Sequence, residues 1–196
     1  MPRAARREAA GATHHVVAQG NNRQAIVLDD CDRGVLLRGV EEAACRHAWC
    51  LHAYCLMTTH LHLVVETRDP NLGRGVGRLL GSYARWFNRR HGREGHLFMT
   101  PFFSRLLLTD EHVLAATLYV LVNPVRARLC RHPSEWVWGS YRDAVELRPT
   151  NVPTAPLLGL LAPDPRVARA RLAELVDEQV ARIAQEQRRE ECRAGR

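Results

Sequence analysis

His60-Leu61-His62 places two imidazoles two residues apart. In an extended strand alternate side chains leave on the same side, so both rings share one face while Leu61 and Leu63 turn to the other. Two neutral imidazoles on one face can bind a divalent metal. With ten histidines in 196 residues the pattern is not rare by chance, so it needs company. Tyr119 and Asn123 supply it. Four residues apart at the end of a helix-forming run, they fall on one helix face about a turn from each other. An amide oxygen can complete a metal's coordination, and a phenol beside that metal can attack a phosphate that the metal polarises. Phenols in water ionise near pH 10, so attack at neutral pH needs the metal or a neighbouring positive charge. No general base stands out, which leaves a bound water or the metal for that task. Within Leu118-Tyr119-Val120-Leu121 plain core packing is the other reading of Tyr119. Tyr54 and Tyr83 are the rival nucleophiles, but both stand in apolar patterns and read as packing residues.

These side chains can meet only if strands and helices follow in the right order. His14-His15-Val16-Val17-Ala18-Gln19 reads as a strand that stops at the turn Gly20-Asn21-Asn22. Asp29 or Asp30 caps a helix running to about His47. Trp49 to Met57 and His60 to Glu66 read as a strand pair joined at Thr58-Thr59. Asp69-Pro70-Asn71 opens the next helix, whose apolar stripe is Val76, Leu79, Leu80, Tyr83 and Phe87. Arg74, Arg78, Arg85 and Arg89 fall on another face, as a phosphate rail or as an ordinary solvated surface. Leu97 to Leu108 gives a fourth β segment, interrupted by Pro101. A third helix starts at Thr109 or Asp110 and is expected to end near Asn123, because the residue before Pro124 is pushed out of the α region.

The order β-α-β-β-α-β-α predicts an α+β, ferredoxin-like antiparallel sheet with helices on one face. The other face is expected to be open and able to hold a nucleic-acid strand. The core domain is placed at 12–130, an aromatic extension at 131–148 and a Pro-rich linker at 149–165. An amphipathic helix at 166–193, marked by Leu172, Leu175, Val176, Val180 and Ile183, forms a C-terminal appendage that packs back on its domain or docks a partner.

The formal net charge is +7 and all 28 basic residues are arginine, which points to a polyanionic partner and supplies guanidinium forks for phosphates. The six cysteines form no C-x-x-C pair, which excludes a zinc ribbon or a thioredoxin-like redox site and fits reduced thiols. Arg3, Arg6 and Arg7 are followed by Glu8 and not by an apolar signal region. No run approaches the roughly 20 apolar residues of a membrane span. The expectation is a soluble cytoplasmic protein with no membrane partner.

The ordered motifs resemble the REP-associated tyrosine transposases, within the insertion-sequence-200-like, single-tyrosine HUH transposase superfamily. The resemblance runs from His15 to about Tyr141. It is carried by His15-Val16-Val17 with Gly20-Asn21-Asn22-Arg23, by His52-Ala53-Tyr54-Cys55-Leu56-Met57 and by His60-Leu61-His62-Leu63. Further on come Tyr83-Ala84-Arg85-Trp86-Phe87-Asn88-Arg89-Arg90, Gly95-His96-Leu97-Phe98, Tyr119 with Asn123-Pro124-Val125-Arg126-Ala127, and Trp136-Val137-Trp138-Gly139-Ser140-Tyr141.

The resemblance implies an RNA-recognition-motif-like core with Mg2+ or Mn2+ held by His60, His62 and Asn123. It implies Tyr119 as the nucleophile of a 5′-phosphotyrosine link that frees a 3′-hydroxyl. Single-stranded DNA hairpins, formed by repetitive extragenic palindromes, are the implied partner, and nucleoid association follows from it. Arg23, Arg105 and Arg126 join the four helix arginines as candidate DNA contacts. Monomer and homodimer both remain open. Two departures bear on activity. Thr59 stands where relatives commonly have Asn before the first histidine, and Met99-Thr100-Pro101-Phe102 replaces Gln-Gly-Arg-Phe. The alternatives are a catalytically weakened hairpin DNA- or RNA-binding module on the same fold, and a structural zinc site using His60, His62 and a cysteine such as Cys55.

Overall fold

Along β1 (Ala12–Gln19) the residues His14, Val16 and Ala18 are buried and those between them are half-buried, the period-two pattern of a strand with one face in a core. The structure is a computed structural model and describes residues 8–145 and 155–194. β1 pairs antiparallel with β3 (His60–Thr67) on one side and β4 (Phe103–Leu107) on the other. β2 (Trp49–Leu56) pairs with β3, giving the order β2-β3-β1-β4. With α1 (Asp30–Arg46) between β1 and β2, and α2 (Leu72–Arg90) between β3 and β4, this is the ferredoxin-like split motif expected from the sequence.

Both crossover helices pack on one side of the sheet. Asp29 caps α1, its side chain accepting the Asp32 backbone N–H at 3.0 Å. Leu36, Val40, Ala43 and Ala44 of α1 join Leu72, Val76, Leu79, Tyr83 and Phe87 of α2 over Val16, Leu51, Leu61, Leu63 and Val65. At Gly75 a Cβ would come within 2.2 Å of the Trp49 ring, so a glycine there lets α2 settle against β2.

The opposite face is only half open. Ala53, Cys55, Met57 and Val64 are buried there beneath Val113, Leu118 and Leu121 of α3 (Asp110–Leu121). Leu157 and Leu158 of α6 (Ala155–Leu161) and Ala168, Leu172, Val176 and Ile183 of α7 (Pro165–Ala194) complete this second core. The expectation of helices on one face is thus corrected for β2 and β3. The cause is in the strand, because Trp49–Met57 is apolar at nearly every position and such a strand needs cover on both sides. A β-bulge at His52, between Leu51 and Ala53, rephases the alternation so that Tyr54 and Leu56 still enter the first core. Only the β1–β4 side stays open, with Phe103 and Arg105 exposed.

Three other expectations shift. The fourth β segment is a strand only over Phe103–Leu107, since Pro101 offers no N–H to a ladder and Phe98 joins by a single bridge to Gly20. The third helix ends at Leu121, and Asn123 opens a separate short helix, α4 (Asn123–Arg126), with Pro124 in its first turn. Of the expected linker at 149–165, residues 149–154 lie outside the described residues, and the rest holds α6, whose buried leucines close the second core.

The aromatic stretch after α4 laces onto the outer edge of β2. The Leu56 N–H donates to the Trp138 carbonyl at 2.9 Å, and Trp136 Nε1 donates to the Leu56 carbonyl at 3.1 Å. Ser140 Oγ accepts the Tyr54 N–H at 2.9 Å. The short α5 (Tyr141–Val145) follows.

Candidate active site

β3 sends Leu61 and Leu63 into the first core and turns His60 and His62 to the half-open face. Val17 lies opposite His62 across the β1–β3 ladder, Gln19 opposite His60 and His15 opposite Val64. His15 therefore joins the same face. Its ring stacks on His62 at 5.3 Å and 20°, with His15 Nε2 3.1 Å from His62 Nδ1. The His60 and His62 rings meet edge to face at 4.7 Å.

Helix α3 brings Tyr119 to this cluster. The phenol ring stands edge-on to His62 at 5.6 Å and to His15 at 5.9 Å. Asn123, buried at the start of α4, hydrogen-bonds His60. One turn along the same short helix, the Arg126 guanidinium lies 5.9 Å from the Tyr119 ring centroid. The four residues singled out for chemistry in the sequence thus stand together. The α3–α4 break at Val122 does not separate Tyr119 from Asn123, because the chain stays helical in sense on both sides of it.

Burial decides the protonation of the rings. His62 is pushed down to about 3 by burial, with the neighbouring His60 and His15 adding to the effect. His60 is lowered by burial, against the opposing effect of the Asn123 side chain, whose amide oxygen accepts from the ring. His15 is lowered by burial and by the charge of Arg105. All three are neutral near pH 7, and neutral imidazoles are the form that binds metals. Thr59, the departure from the family motif, places its Oγ1 2.9 Å from His60 Nδ1, within hydrogen-bonding distance of the ring.

Both ligand candidates thus have Nδ1 held by a neighbour. Two neutral imidazoles with a buried amide form a nitrogen–nitrogen–oxygen donor set compatible with a divalent ion. Among the described residues no group of three or more His, Cys, Asp or Glu side chains is arranged as a metal site. The zinc alternative weakens on the same geometry. Cys55 pairs with His62 across the strands, but among the described residues it forms no metal-holding group with His60 and His62.

The rival tyrosines are locked away. The Tyr83 hydroxyl donates to the Ile26 carbonyl at 2.7 Å and the Tyr54 hydroxyl to Asp143 Oδ2 at 2.9 Å. Burial, aided by nearby carboxylates, holds both phenols above the usual range. Tyr141 is also buried, whereas Tyr119 is 42% exposed.

The arginines divide between two layers. Arg105 lies opposite His15 on β4, and Arg126 lies over Tyr119, so both border the cluster. Arg74, Arg78, Arg85 and Arg89 are exposed on α2, in the layer across the sheet from the imidazoles. There Arg78 joins Arg38 and Arg46 along a groove of about 220 Å³ between α1 and α2. Arg23 is exposed in the turn past the end of β1. Tyr83 and Phe87 are buried and offer no stacking surface beside these arginines. His15 is the residue whose place in the cluster sequence reasoning missed. Its signal was the strand alternation at 14–19, which needs the β1–β3 register to become informative.

Residues 9–117, more than half of the chain, match the family model described as "Transposase IS200 like", and the chain belongs to that family. The match ends two residues before Tyr119, so neither Tyr119 nor Asn123 falls within it.

Among solved structures, a REP-associated tyrosine transposase bound to a REP hairpin superposes with a TM-score of 0.63 at 16% identity, covering 76% of this chain and 89% of that one. At that identity the likeness is one of fold. A structure described as a transposase of Deinococcus radiodurans R1 aligns with a TM-score of 0.41 at 20% identity, over 59% of this chain and 89% of that one, and carries no argument. No curated protein matches the chain. Among the described residues no helix is long and apolar enough to cross a membrane.

Proposed function

We propose that the chain nicks and rejoins single-stranded DNA at palindromic hairpins through a 5′-phosphotyrosine on Tyr119, with a divalent metal, Mg2+ or Mn2+, held by His60, His62 and Asn123. The observation that carries this reading is the convergence of those four side chains on one half-open face. A bound ion would polarise the scissile phosphate. The chain's own residues do the rest. His60 and His62, fixed through their Nδ1 atoms by Thr59 and His15, keep their orientation. Tyr119 Oη bonds to phosphorus as the P–O3′ bond breaks, and the phenolic proton is exchanged through solvent for the one that O3′ takes up to leave as a free 3′-hydroxyl. Arg126 offers positive charge beside the developing phenolate. Attack by a 3′-hydroxyl on the phosphotyrosine reverses the step and joins strands.

Hairpin DNA as the substrate is supported by the net charge of +7, by the open β1–β4 surface with Arg105 and by the hairpin held by the structurally similar transposase. The test is incubation of labelled hairpin oligonucleotide with Mg2+ or Mn2+ and with chelator, read on a denaturing gel. A protein–DNA adduct only in the metal arms is the expected result. Undiminished cleavage in chelator would remove the metal from the mechanism, and no adduct in any arm would favour the binding-module alternative.

A further inference from the structure

A cleft of about 350 Å³ opens beside the nucleophile, between α3, α4 and α7. Leu114 and Leu118 form an apolar side, Glu111 and Gln179 contribute polar groups, and Tyr119 and Arg126 border it. Gln179 comes from the C-terminal helix and is held by its neighbours. Val176 is 0% exposed and Ile183 is 2% exposed, and they anchor the turns on either side of it. Glu186, seven residues on and so on the same side of α7, reaches Arg126 at 3.8 Å. Gln187 Nε2 donates to the Val125 carbonyl at 3.3 Å. The long helix is therefore part of the wall of the site and not a remote appendage.

We infer that this cleft is a base-reading subsite for the nucleotide whose 5′-phosphate Tyr119 takes, selecting adenine or cytosine, whose amino group at C6 or C4 stands beside a ring-nitrogen acceptor, over guanine and thymine, which carry a carbonyl at that place. The inference rests on the proposed strand cleavage and deepens it. A base attached to that nucleotide must lie within one nucleotide's reach of the Tyr119 hydroxyl, and this cleft borders that residue. Its apolar side suits a base face. The Gln179 amide oxygen and the Glu111 carboxylate both accept hydrogen bonds, as an exocyclic amino group requires, while a thymine carbonyl in the same place would face the Glu111 carboxylate, which has no proton to donate. The Gln179 amide N–H₂ can add a bond to adenine N7 or cytosine N3.

Four oligonucleotides differing only at this base test the inference in single-turnover adduct assays with Mg2+. Wild type is expected to favour adenine or cytosine over guanine and thymine by about tenfold. Gln179→Ala should bring the preference within about threefold while leaving hairpin affinity unchanged, and Gln179→Glu, which keeps an acceptor there, should retain it. Circular dichroism and melting confirm that α7 stays docked. Equal adduct rates for all four bases in wild type, or an unaltered preference in Gln179→Ala combined with Glu111→Ala, would overturn the subsite alone. No Tyr119 adduct with any sequence would overturn the proposed cleavage and the subsite with it.

Discussion

Replacing Tyr119 by phenylalanine removes one oxygen atom and keeps the ring that touches His15, His62 and Arg126. Tyr119 is 42% exposed, and among the described residues its hydroxyl makes no hydrogen bond to protein, so the deletion leaves no buried group unsatisfied. The stability cost should be within about 0.5 kcal/mol. In a domain of this size 1 kcal/mol moves Tm by roughly 2–4 °C, so the melting temperature should shift by less than about 2 °C. Hairpin affinity should likewise hold. Chemistry should fall by at least about a thousandfold, as expected when a nucleophile is deleted.

In the proposed reaction the 5′-phosphate of the downstream fragment ends on the protein, so a 3′-end-labelled oligonucleotide reports the adduct. Tyr83→Phe is the matched control. It loses a buried hydrogen bond worth about 1 kcal/mol and should melt lower but still cleave. An adduct in Tyr119→Phe, or a wild-type adduct mapped by peptide sequencing to Tyr54, Tyr83 or Tyr141, would refute the nucleophile assignment.

Four further outcomes are expected. His60→Ala and His62→Ala should abolish metal-restored nicking, whereas Asn123→Ala should be partly rescued by raising the metal concentration in a titration of initial rates. Hairpin binding should be favoured over blunt duplex and should weaken with salt by a log–log slope of roughly −0.7 per phosphate neutralised on single strands, and equal affinities across the titration would count against it. Asp32, fully buried, accepts the Leu28 N–H at 2.7 Å and bonds to Arg90 and His91, so Asp32→Ala should cost about 3 kcal/mol, measurable by urea denaturation. Burial raises the Asp32 carboxyl, but its bonds to His91, Leu28 and Arg90 outweigh this and leave it below the ordinary 3.8. Its contribution is therefore present above that pH and is lost as pH falls below it, so the acid destabilisation of wild type should be larger than that of Asp32→Ala, in which Asp29 is still held low.

The frame of the domain was readable from local signals. Asp29 as a cap, the alternation at 14–19 and the stripe from Val76 to Phe87 each depend on neighbours in sequence, and each appears in the fold as read. The shared face of His60 and His62 was readable for the same reason, since strand geometry alone requires it. What escaped depends on long-range pairing. His15 reaches His62 only through the β1–β3 register, which no local pattern specifies. The covered half of the second face was written in the unbroken apolar run Trp49–Met57, whose two-sided burial was not drawn from it. Helix α6 was hidden by prolines at Pro153 and Pro156 that suggested a linker. Pro156 stands at the second residue of the helix, where a missing N–H costs nothing.

The lacing of Trp136 to Ser140 along β2 has a consequence for association. It occupies one margin of the sheet, so among the described residues β4 is the margin left for strand-to-strand pairing. β4 also carries Arg105, directly across from His15. A second molecule that added its backbone there would sit beside the histidine face, and assembly by that route could not be independent of access to Tyr119.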